Sequence, residues 1–192
     1  LKIFGAGSIG NHLAYACRSQ NLDVTIFDID DEALVRTKNK IYPSRYGLWD
    51  ENIKLTNSFD SNENYDFIII GTPPDSHIDI LNNLNLDRVK AILIEKPLTF
   101  PFDSRLVDVK NINKMSKLKF FIGYNHIVSK SMEEMGKLLT NRRLGELVAL
   151  DVEFREKWDG IFKAHPWLDG PSDSYLGNFK AGEGQLMNIR MQ

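Results

Sequence analysis

The stretch Lys2-Ile3-Phe4-Gly5-Ala6-Gly7-Ser8-Ile9-Gly10 places three glycines directly after a short apolar run and before an amphipathic segment. This order predicts a strand that ends in a glycine-rich loop at the start of a helix. Gly5 permits the tight turn, Gly7 lets the backbone approach a pyrophosphate, and Gly10 lets the helix pack closely on the strand. The N–H groups of the helix N-terminus then face the anion. The alternative is an ordinary glycine-rich turn without a ligand.

An acidic residue stands at the end of the second predicted strand. Asp28 lies 18 residues beyond Gly10, close to the ~20 typical of dinucleotide-binding folds. A carboxylate there accepts hydrogen bonds from the adenosine ribose and repels a 2′-phosphate, so we expect NAD as cofactor rather than NADP. Alternatively, Asp28 or Asp31 caps the next helix. Asp31 fits the cap better, which leaves Asp28 for the ribose.

Short apolar runs alternate with longer amphipathic stretches over the first 124 residues. The predicted strands are Lys2–Phe4, Val24–Phe27, Lys54–Thr56 (at a sheet edge), Phe67–Gly71, Ala91–Ile94 and Phe120–Gly123. The predicted helices are Ser8–Gln20, Asp31–Lys40, Asp75–Leu84 and Pro101–Ser116, with an irregular segment at Tyr42–Glu51 broken by Pro43 and Gly47. This alternation implies right-handed crossovers and a parallel sheet buried on both faces. We therefore predict an α/β fold, a Rossmann-type doubly wound parallel sheet, for residues 1–124.

A different pattern follows in residues 125–192. A helix is predicted at Lys130–Thr140, and Leu147–Phe154 alternates polar with apolar residues, as in an antiparallel strand with one covered face. We expect these residues to form the truncated start of an α+β domain for substrate binding and oligomerisation. The chain opens at Leu1 inside an apolar strand and ends at Gln192 without a stop signal for its last element, so we expect a piece of a longer protein.

Composition excludes several classes of partner. The chain has 192 residues, 42% hydrophobic and 26% charged, with a net charge of -2. No basic stripe is present, so we expect no nucleic-acid or membrane partner. The apolar runs are too short to span a bilayer, and we expect a cytoplasmic location. Cys17 is the only cysteine, which rules out an internal disulfide in this chain; we interpret it as a packing residue.

Two further motifs follow predicted strands. Gly71-Thr72-Pro73-Pro74, with His77 shortly after, ends one strand, and Glu95-Lys96-Pro97 ends the next. Ligands bind outside the carboxyl ends of parallel strands. These motifs should therefore converge with Gly7 and Asp28 at one edge of the sheet.

In order and spacing, these motifs resemble the Gfo/Idh/MocA family of oxidoreductases, the group of glucose-fructose oxidoreductase and inositol dehydrogenase. The resemblance rests on the glycine loop, the Thr-Pro-Pro and Glu-Lys-Pro turns and Gly123-Tyr124-Asn125, and extends weakly to Leu144-Gly145-Glu146-Leu147 and His165-Pro166-Trp167-Leu168. It implies an enzyme that transfers a hydride between a nicotinamide cofactor and a hydroxyl of a sugar, cyclitol or nucleotide-sugar. It also implies a homo-oligomer in the full-length form.

The resemblance also implies roles for individual residues. Lys96 would lie beside the nicotinamide and the substrate hydroxyl, where a lysine relays the proton that leaves oxygen as hydride leaves carbon. Glu95 would orient Lys96 or help to close the cofactor site. The cofactor contacts would comprise the loop Gly5 to Gly10, Asp28, Thr72, Pro73, Pro74, His77, Glu95, Lys96 and Asn125. The alternatives are a surface lysine before a proline for Lys96, and a residue that caps a helix turn for His77.

The sequence departs from the family near its end. Aligned in register, Asn188 stands where the family has an Asp and Gln192 where it has a His, and neither amide can act as a general base near neutral pH. The alternative function is therefore an NAD(H)-binding module without catalysis. A methyltransferase is a third possibility, which Glu95-Lys96-Pro97 argues against. His126, His165, Trp158 and Trp167 have either structural or substrate-side roles, and no metal site is expected, since Asp159, Asp169 and Asp173 lack a histidine at ligand spacing.

Overall fold

The structure is a computed structural model of the chain. It describes residues 1–60, 62–100, 102–115, 118–141 and 145–149, and seven single residues further along, namely Asp151, Glu153, Gly160, Lys163, Asp169, Gly170 and Asp173. The chain divides into two compact units, of which the first includes Leu1–Gly123 and the second is Tyr124–Pro166.

Six parallel strands form a single sheet in the first unit. They are β1 (Lys2–Phe4), β2 (Val24–Phe27), β3 (Ile53–Thr56), β4 (Phe67–Ile70), β5 (Ala91–Ile94) and β6 (Lys119–Ile122). Their spatial order is β3-β2-β1-β4-β5-β6, and each neighbouring pair is parallel. The order reverses between β1 and β4, the switch point at which such sheets bind ligands. The predicted Rossmann-type fold is confirmed.

Helices connect these strands. They are α1 (Ser8–Ser19), α2 (Asp31–Arg36), α3 (Tyr42–Tyr46), α4 (His77–Asn82), α5 (Leu106–Met115) and, in the second unit, α6 (Lys130–Thr140). A π-helical turn, Thr37–Ile41, joins α2 to α3, and a 3-10 turn, Asn125–Val128, precedes α6. No helix of the described residues is long and apolar enough to cross a membrane.

The sheet is covered on both faces because successive strand residues point to opposite sides. Ile3 and Ile26 pack on one face with Ala14 of α1 and Leu34 of α2. On the other face, Phe4 belongs to a second cluster, whose members include Phe27, Ile68, Ile70, Leu81, Ile92 and Ile94. Buried strands of this kind need unbroken apolar runs, which the sequence supplies.

The segment Tyr42–Glu51 is not irregular throughout, so that prediction is wrong for its first half. Pro43 stands in the first turn of α3, where a missing N–H costs nothing. Tyr42 is buried and its ring packs on Trp49 at 5.0 Å, which stabilises the extra turn. Gly47 does break the helix: its φ is 87°, a conformation that glycine adopts without penalty.

The helix predicted at Pro101–Ser116 begins only at Leu106. Asp103, which is buried, accepts a hydrogen bond from the backbone N–H of Arg105 at 2.9 Å. This local turn competes with the first helical turn. The prediction of a proline-started helix is therefore wrong by about one turn.

In the second unit, α6 has the predicted bounds. The strand predicted at Leu147–Phe154 is not seen at its start, because residues 147–149 have no regular secondary structure. Residues 150, 152 and 154 lie outside the described residues.

Candidate functional site

The glycine loop between β1 and α1 is packed closely against the neighbouring strands. Gly5 has a φ of 103°, and its N–H donates to the carbonyl oxygen of Phe27 at 2.8 Å. A Cβ on Gly5 would come within 2.8 Å of the carbonyl oxygen of Gly71. A Cβ on Gly10 would lie 2.0 Å from the carbonyl oxygen of Gly5. Only glycine fits at these two positions, for the structural reasons that the sequence pattern indicates.

Gly7, the middle glycine, is in a different situation. It precedes α1 with φ -79° and ψ -165°, and no side chain caps the helix there. A Cβ on Gly7 would meet none of the described residues within 4 Å. The N–H groups of Gly7, Ser8 and Ile9 donate to no acceptor among the described residues. Open space in front of several unsatisfied N–H donors at a helix N-terminus suits an anion such as a pyrophosphate.

Asp28 is half-buried at the carboxyl end of β2 and lies against this loop. Its Oδ2 accepts the N–H of Ala6 at 2.7 Å, and its Oδ1 accepts the N–H of Asp30 at 3.0 Å. Each carboxylate oxygen has a second lone pair. The carboxylate is therefore held in place by the backbone and can still accept hydrogen bonds from a diol.

The cap of the next helix is Asp30 rather than Asp31. The Asp30 side chain accepts the N–H of Glu32 at 2.9 Å, while Asp31 is already the first residue of α2. Asp30 has the extended backbone, φ -99° and ψ 109°, that an N-cap requires. The predicted cap is wrong by one residue, but Asp28 does not cap the helix.

The turn after β4 is also fixed by hydrogen bonds. Thr72 Oγ1 accepts a hydrogen bond from Ser76 Oγ at 2.7 Å, and Gly71 N–H donates to the carbonyl oxygen of Phe4 at 2.8 Å. Pro73 is exposed and Pro74 is buried. The turn therefore stands directly beside the end of β1, where the glycine loop begins.

The turn after β5 contains Glu95 and Lys96, both half-buried, and a cis peptide bond between Lys96 and Pro97. Glu95 Oε2 accepts the backbone N–H of Lys96 at 3.3 Å. Burial raises the pKa of the Glu95 carboxyl, and the Lys96 N–H and its ammonium charge partly offset that effect. A Cβ on Gly123 would lie 2.7 Å from Glu95 Oε1, so the carboxyl group occupies space that only a glycine at 123 leaves open.

His77 connects these two turns. Its ring is fully buried, with Nε2 2.7 Å from the carbonyl oxygen of Thr72 and Nδ1 3.1 Å from that of Leu98. Burial lowers the pKa of this imidazole, although the backbone carbonyls act in the opposite direction. A neutral ring has one N–H, and the shorter contact favours donation to Thr72. Both ring nitrogens thus lie against backbone, and contact with a cofactor stays a prediction.

A network of ion pairs around Arg105 stabilises the segment that follows Lys96. Arg105 contacts Asp103 at 2.8 Å and Asp79 of α4 at 2.7 Å, and Nη2 of Arg105 donates to the carbonyl oxygen of Asp75. Asp103 also accepts a short hydrogen bond from Thr99. The Arg105 guanidinium lowers the pKa of Asp103 to about 2. No sequence motif marks this network, since its members are ordinary polar residues from two segments that are distant from each other in the chain.

Two buried polar residues beneath the glycine loop were also missed. Asn11 of α1 and Thr37 are both fully buried, and Asn11 Nδ2 donates to Thr37 Oγ1 at 3.2 Å. A usable signal was present for Asn11, because it follows Gly10 on the helix face that also includes the buried Ala14. Thr37 has no such local signal.

The structure brings the predicted residues of the first unit to one edge of the sheet, at the carboxyl ends of β1, β2, β4 and β5. Asn125 and His126 lie in the exposed 3-10 turn of the second unit. Trp158, Asp159, His165, Trp167, Asn188 and Gln192 lie outside the described residues. Within the described part of the chain, no group of three or more His, Cys, Asp or Glu side chains could hold a metal ion.

Solved structures share this fold. Myo-inositol 2-dehydrogenase from Lactobacillus plantarum is 20% identical, with a TM-score of 0.58 over 76% of this chain and 42% of that one. Apo scyllo-inositol dehydrogenase from Lactobacillus casei is 18% identical, with a TM-score of 0.58 over the same shares of the two chains. The structure of scyllo-inositol dehydrogenase from Lactobacillus casei with bound NAD(H) and scyllo-inositol is 17% identical, with a TM-score of 0.55 over 76% of this chain and 42% of that one. At these identities the likeness shows the fold, and the chain spans less than half the length of these proteins.

A comparison with curated proteins gave no match. The family model described as an oxidoreductase family with an NAD-binding Rossmann fold matches residues 2–124. That match covers the whole sheet and every loop of the first-unit site, well over half of the chain. The chain therefore belongs to the Gfo/Idh/MocA oxidoreductase family.

Proposed function

We propose that this protein is an NAD-dependent oxidoreductase that transfers a hydride between the cofactor and a hydroxyl group of a sugar, cyclitol or nucleotide-sugar. The single observation behind the proposal is the glycine loop, where N–H groups without an acceptor among the described residues stand at Gly7, with none of those residues close in front, while the Asp28 carboxylate is held beside them. An anion and a diol fit these two positions together. Both belong to the adenosine diphosphate half of a nicotinamide dinucleotide.

The residues of the first unit would hold this cofactor in order along the sheet edge. The loop from Gly5 to Gly10 would bind the pyrophosphate, and Asp28 the adenosine ribose. The turn Thr72-Pro73-Pro74 would lie along the cofactor toward the nicotinamide. The bound nicotinamide accepts or supplies the hydride. We assign NAD rather than NADP because a 2′-phosphate would stand against the negative charge of Asp28.

Lys96 would be the catalytic residue. It follows β5, so its backbone lies at the same edge of the sheet as the glycine loop. An ammonium or amine near the substrate oxygen can hold or release the proton that the alcohol exchanges during oxidation. Glu95 precedes it, and its carboxylate accepts the backbone N–H of Lys96 at 3.3 Å. Asn125 remains a proposed contact of the nicotinamide side or of the substrate, and His77 remains a proposed cofactor-binding residue.

The substrate class rests on relatives of the same fold. Scyllo-inositol dehydrogenase from Lactobacillus casei binds scyllo-inositol together with NAD(H), and a cyclitol hydroxyl is a secondary alcohol of the kind that this chemistry oxidises. The cytoplasmic location and the homo-oligomeric full-length form stay predictions.

The experiment is a titration of the purified chain with NADH and NADPH, followed by fluorescence. The variant is Asp28→Ala, and the matched control is Asp87→Ala, which removes an exposed carboxylate elsewhere. We expect the wild-type chain to prefer NADH by about tenfold or more, since a charge-assisted hydrogen bond contributes ~1.5–3 kcal/mol. Asp28→Ala should remove the preference and Asp87→Ala should retain it.

Two outcomes would count against the proposal. Binding of neither cofactor by a folded chain would reduce the glycine loop to a structural turn. An unchanged preference in Asp28→Ala would refute the role of the carboxylate. Turnover assays with cyclitols and Lys96→Ala then separate an enzyme from an NAD(H)-binding module, because only the enzyme oxidises an alcohol and loses that activity with Lys96.

A further inference from the structure

Asn11 and Thr37 form a buried polar pair directly behind the glycine loop. Asn11 lies in the first turns of α1, and Thr37 begins the π-helical turn after α2. Both side chains are fully buried. They are 26 residues apart in the chain and meet through the hydrogen bond from Asn11 Nδ2 to Thr37 Oγ1.

Both side chains donate to the carbonyl groups of the loop. Asn11 Nδ2 donates to the carbonyl oxygen of Gly7 at 2.9 Å and to that of Ala6 at 3.3 Å. The Thr37 hydroxyl donates to the carbonyl oxygen of Ala6 in a short hydrogen bond. The backbone N–H of Asn11 also donates to the carbonyl oxygen of Gly7, at 3.1 Å. The amide orientation of Asn11 is therefore determined, since a flipped amide would set its oxygen against these oxygens.

Because the peptide bond is planar, these contacts also determine the direction of the N–H groups on the opposite side of the loop. In a trans peptide the C=O and the following N–H point in opposite directions. Holding the carbonyl of Ala6 toward the protein interior therefore directs the N–H of Gly7 outward. Holding the carbonyl of Gly7 inward directs the N–H of Ser8 outward. These are the N–H groups that have no acceptor among the described residues.

We propose that Asn11 and Thr37 are positioning residues of the cofactor site, which hold the N–H groups of Gly7 and Ser8 in the direction of the bound pyrophosphate before it arrives. This inference rests on the proposed function. It assigns part of the cofactor affinity to two side chains that do not touch the cofactor. Preformed donors bind an anion more tightly because no ordering of the loop has to accompany binding.

A second observation separates this role from a contribution to folding alone. Asn11 Oδ1 is buried and has no hydrogen-bond partner in the part of the chain that the structure describes. An unsatisfied buried acceptor is destabilising and offsets what the donors of the same amide contribute. Replacement by leucine, of similar size, removes the donors and the unsatisfied acceptor together. Asn11→Leu should therefore weaken cofactor binding without lowering the melting temperature.

The test compares Thr37→Val, which removes only the hydroxyl, with Thr37→Ser, which keeps it, and adds Asn11→Leu as an independent variant. Three probes are used: NADH by fluorescence, and ADP-ribose and adenosine as its competitors. We expect Thr37→Val and Asn11→Leu to weaken NADH and ADP-ribose by about three- to tenfold, the effect of one hydrogen bond. Adenosine, which lacks the pyrophosphate, should change less than about twofold, and Thr37→Ser should resemble the wild type.

The outcomes are distinct. Equal NADH affinity in Thr37→Val and Thr37→Ser would overturn the inference and leave the proposed function standing. An equal loss for adenosine would also overturn it, because a general loosening of the domain affects every ligand. If Thr37→Val does not fold, the same comparison in Asn11→Leu decides between these results. A wild-type chain that binds none of the three probes would refute the proposed function and this inference with it.

Discussion

Alanine at Gly7 and alanine at Gly10 should damage this protein in opposite ways, although both positions belong to one glycine motif. At Gly10 the added Cβ would lie 2.0 Å from a backbone carbonyl oxygen, so the backbone itself must move. Overpacking of this kind typically costs about 1–3 kcal/mol, and a main-chain obstacle places Gly10→Ala at the upper end of that range. At Gly7 the added Cβ would meet no described residue within 4 Å, and the backbone, at φ -79° and ψ -165°, is allowed for any residue.

The free energy of unfolding should therefore change little in Gly7→Ala. Alanine restricts the unfolded chain, which stabilises the protein by about 0.4–1 kcal/mol. Alanine is a poorer N-cap than glycine, which costs a similar amount. The two terms nearly cancel, so the melting temperature should stay within a few degrees of the wild type. The cofactor, by contrast, would meet the new methyl group where the pyrophosphate approaches the N–H donors, and losing one such bond costs about ten- to hundredfold in affinity.

The assay is a thermal melt followed by an NADH titration on three variants. Gly7→Ala should melt like the wild type and bind NADH at least about tenfold more weakly. Gly10→Ala should be destabilised or insoluble. Gly136→Ala is the control, because its Cβ also meets nothing within 4 Å and it lies in α6 of the second unit. Wild-type NADH affinity in Gly7→Ala would refute the reasoning, since open space at that position would then have no connection with a ligand.

Three other changes test the surroundings of the site. Gly123→Ala should leave the melting temperature nearly unchanged but displace the flexible carboxylate of Glu95, which lies 2.7 Å from the new Cβ. The affinity for NADH should then fall more than the affinity for ADP-ribose. Equal losses of affinity for the two ligands would contradict this expectation. His77→Gln should lower the melting temperature, because a fully buried ring that contacts two backbone carbonyls is lost, and an unchanged melt would count against a connecting role. Glu63→Gln should destabilise the protein by about 1–3 kcal/mol at neutral pH, because the buried ammonium of Lys2, 2.5 Å away, loses the negative charge of its partner. The Lys2 hydrogen bond lowers the pKa of Glu63 below its ordinary 4.5, so this stabilisation is present above about pH 4.5 and disappears as the pH falls through the lowered pKa. Thermal melts at acid pH should show this loss of stability in the wild type and not in Glu63→Gln.

The positions of the strands could be predicted from the sequence because a parallel sheet buried on both faces demands continuous apolar runs. Phe67–Ile70 and Ala91–Ile94 are such runs, and the structure has strands there. The parallel, doubly wound arrangement also followed from the alternation of strands and helices, since crossovers between parallel strands have one favoured hand. Helix boundaries were less predictable. The cap at Asp30 and the late start at Leu106 depend on side chains that compete for the same backbone N–H groups.

The glycine loop and Asp28 could be identified because the requirements of a pyrophosphate and a ribose act on neighbouring residues at a fixed spacing. Thr37 could not be identified in this way. Its hydroxyl contacts the carbonyl oxygen of Ala6, 31 residues earlier, and nothing in the local pattern around it distinguishes it from an exposed helical threonine. Arg105 is similar, because its importance comes from its ion pair with Asp79, a residue of α4 that is distant in the sequence.

In each loop of this site, a buried or half-buried polar side chain holds backbone groups of the loop in place. Asp28 holds the N–H of Ala6, Thr37 holds its carbonyl, and His77 connects the turns after β4 and β5. Stability depends on the sum of all such contacts, each worth about 1 kcal/mol, whereas affinity depends on the direction of a few N–H groups. A substitution behind a loop can therefore be almost neutral for folding and still remove binding. For this reason melting temperature and cofactor affinity must be measured on the same variants, and a strict proportionality between the two would contradict the idea that these groups act through the loops.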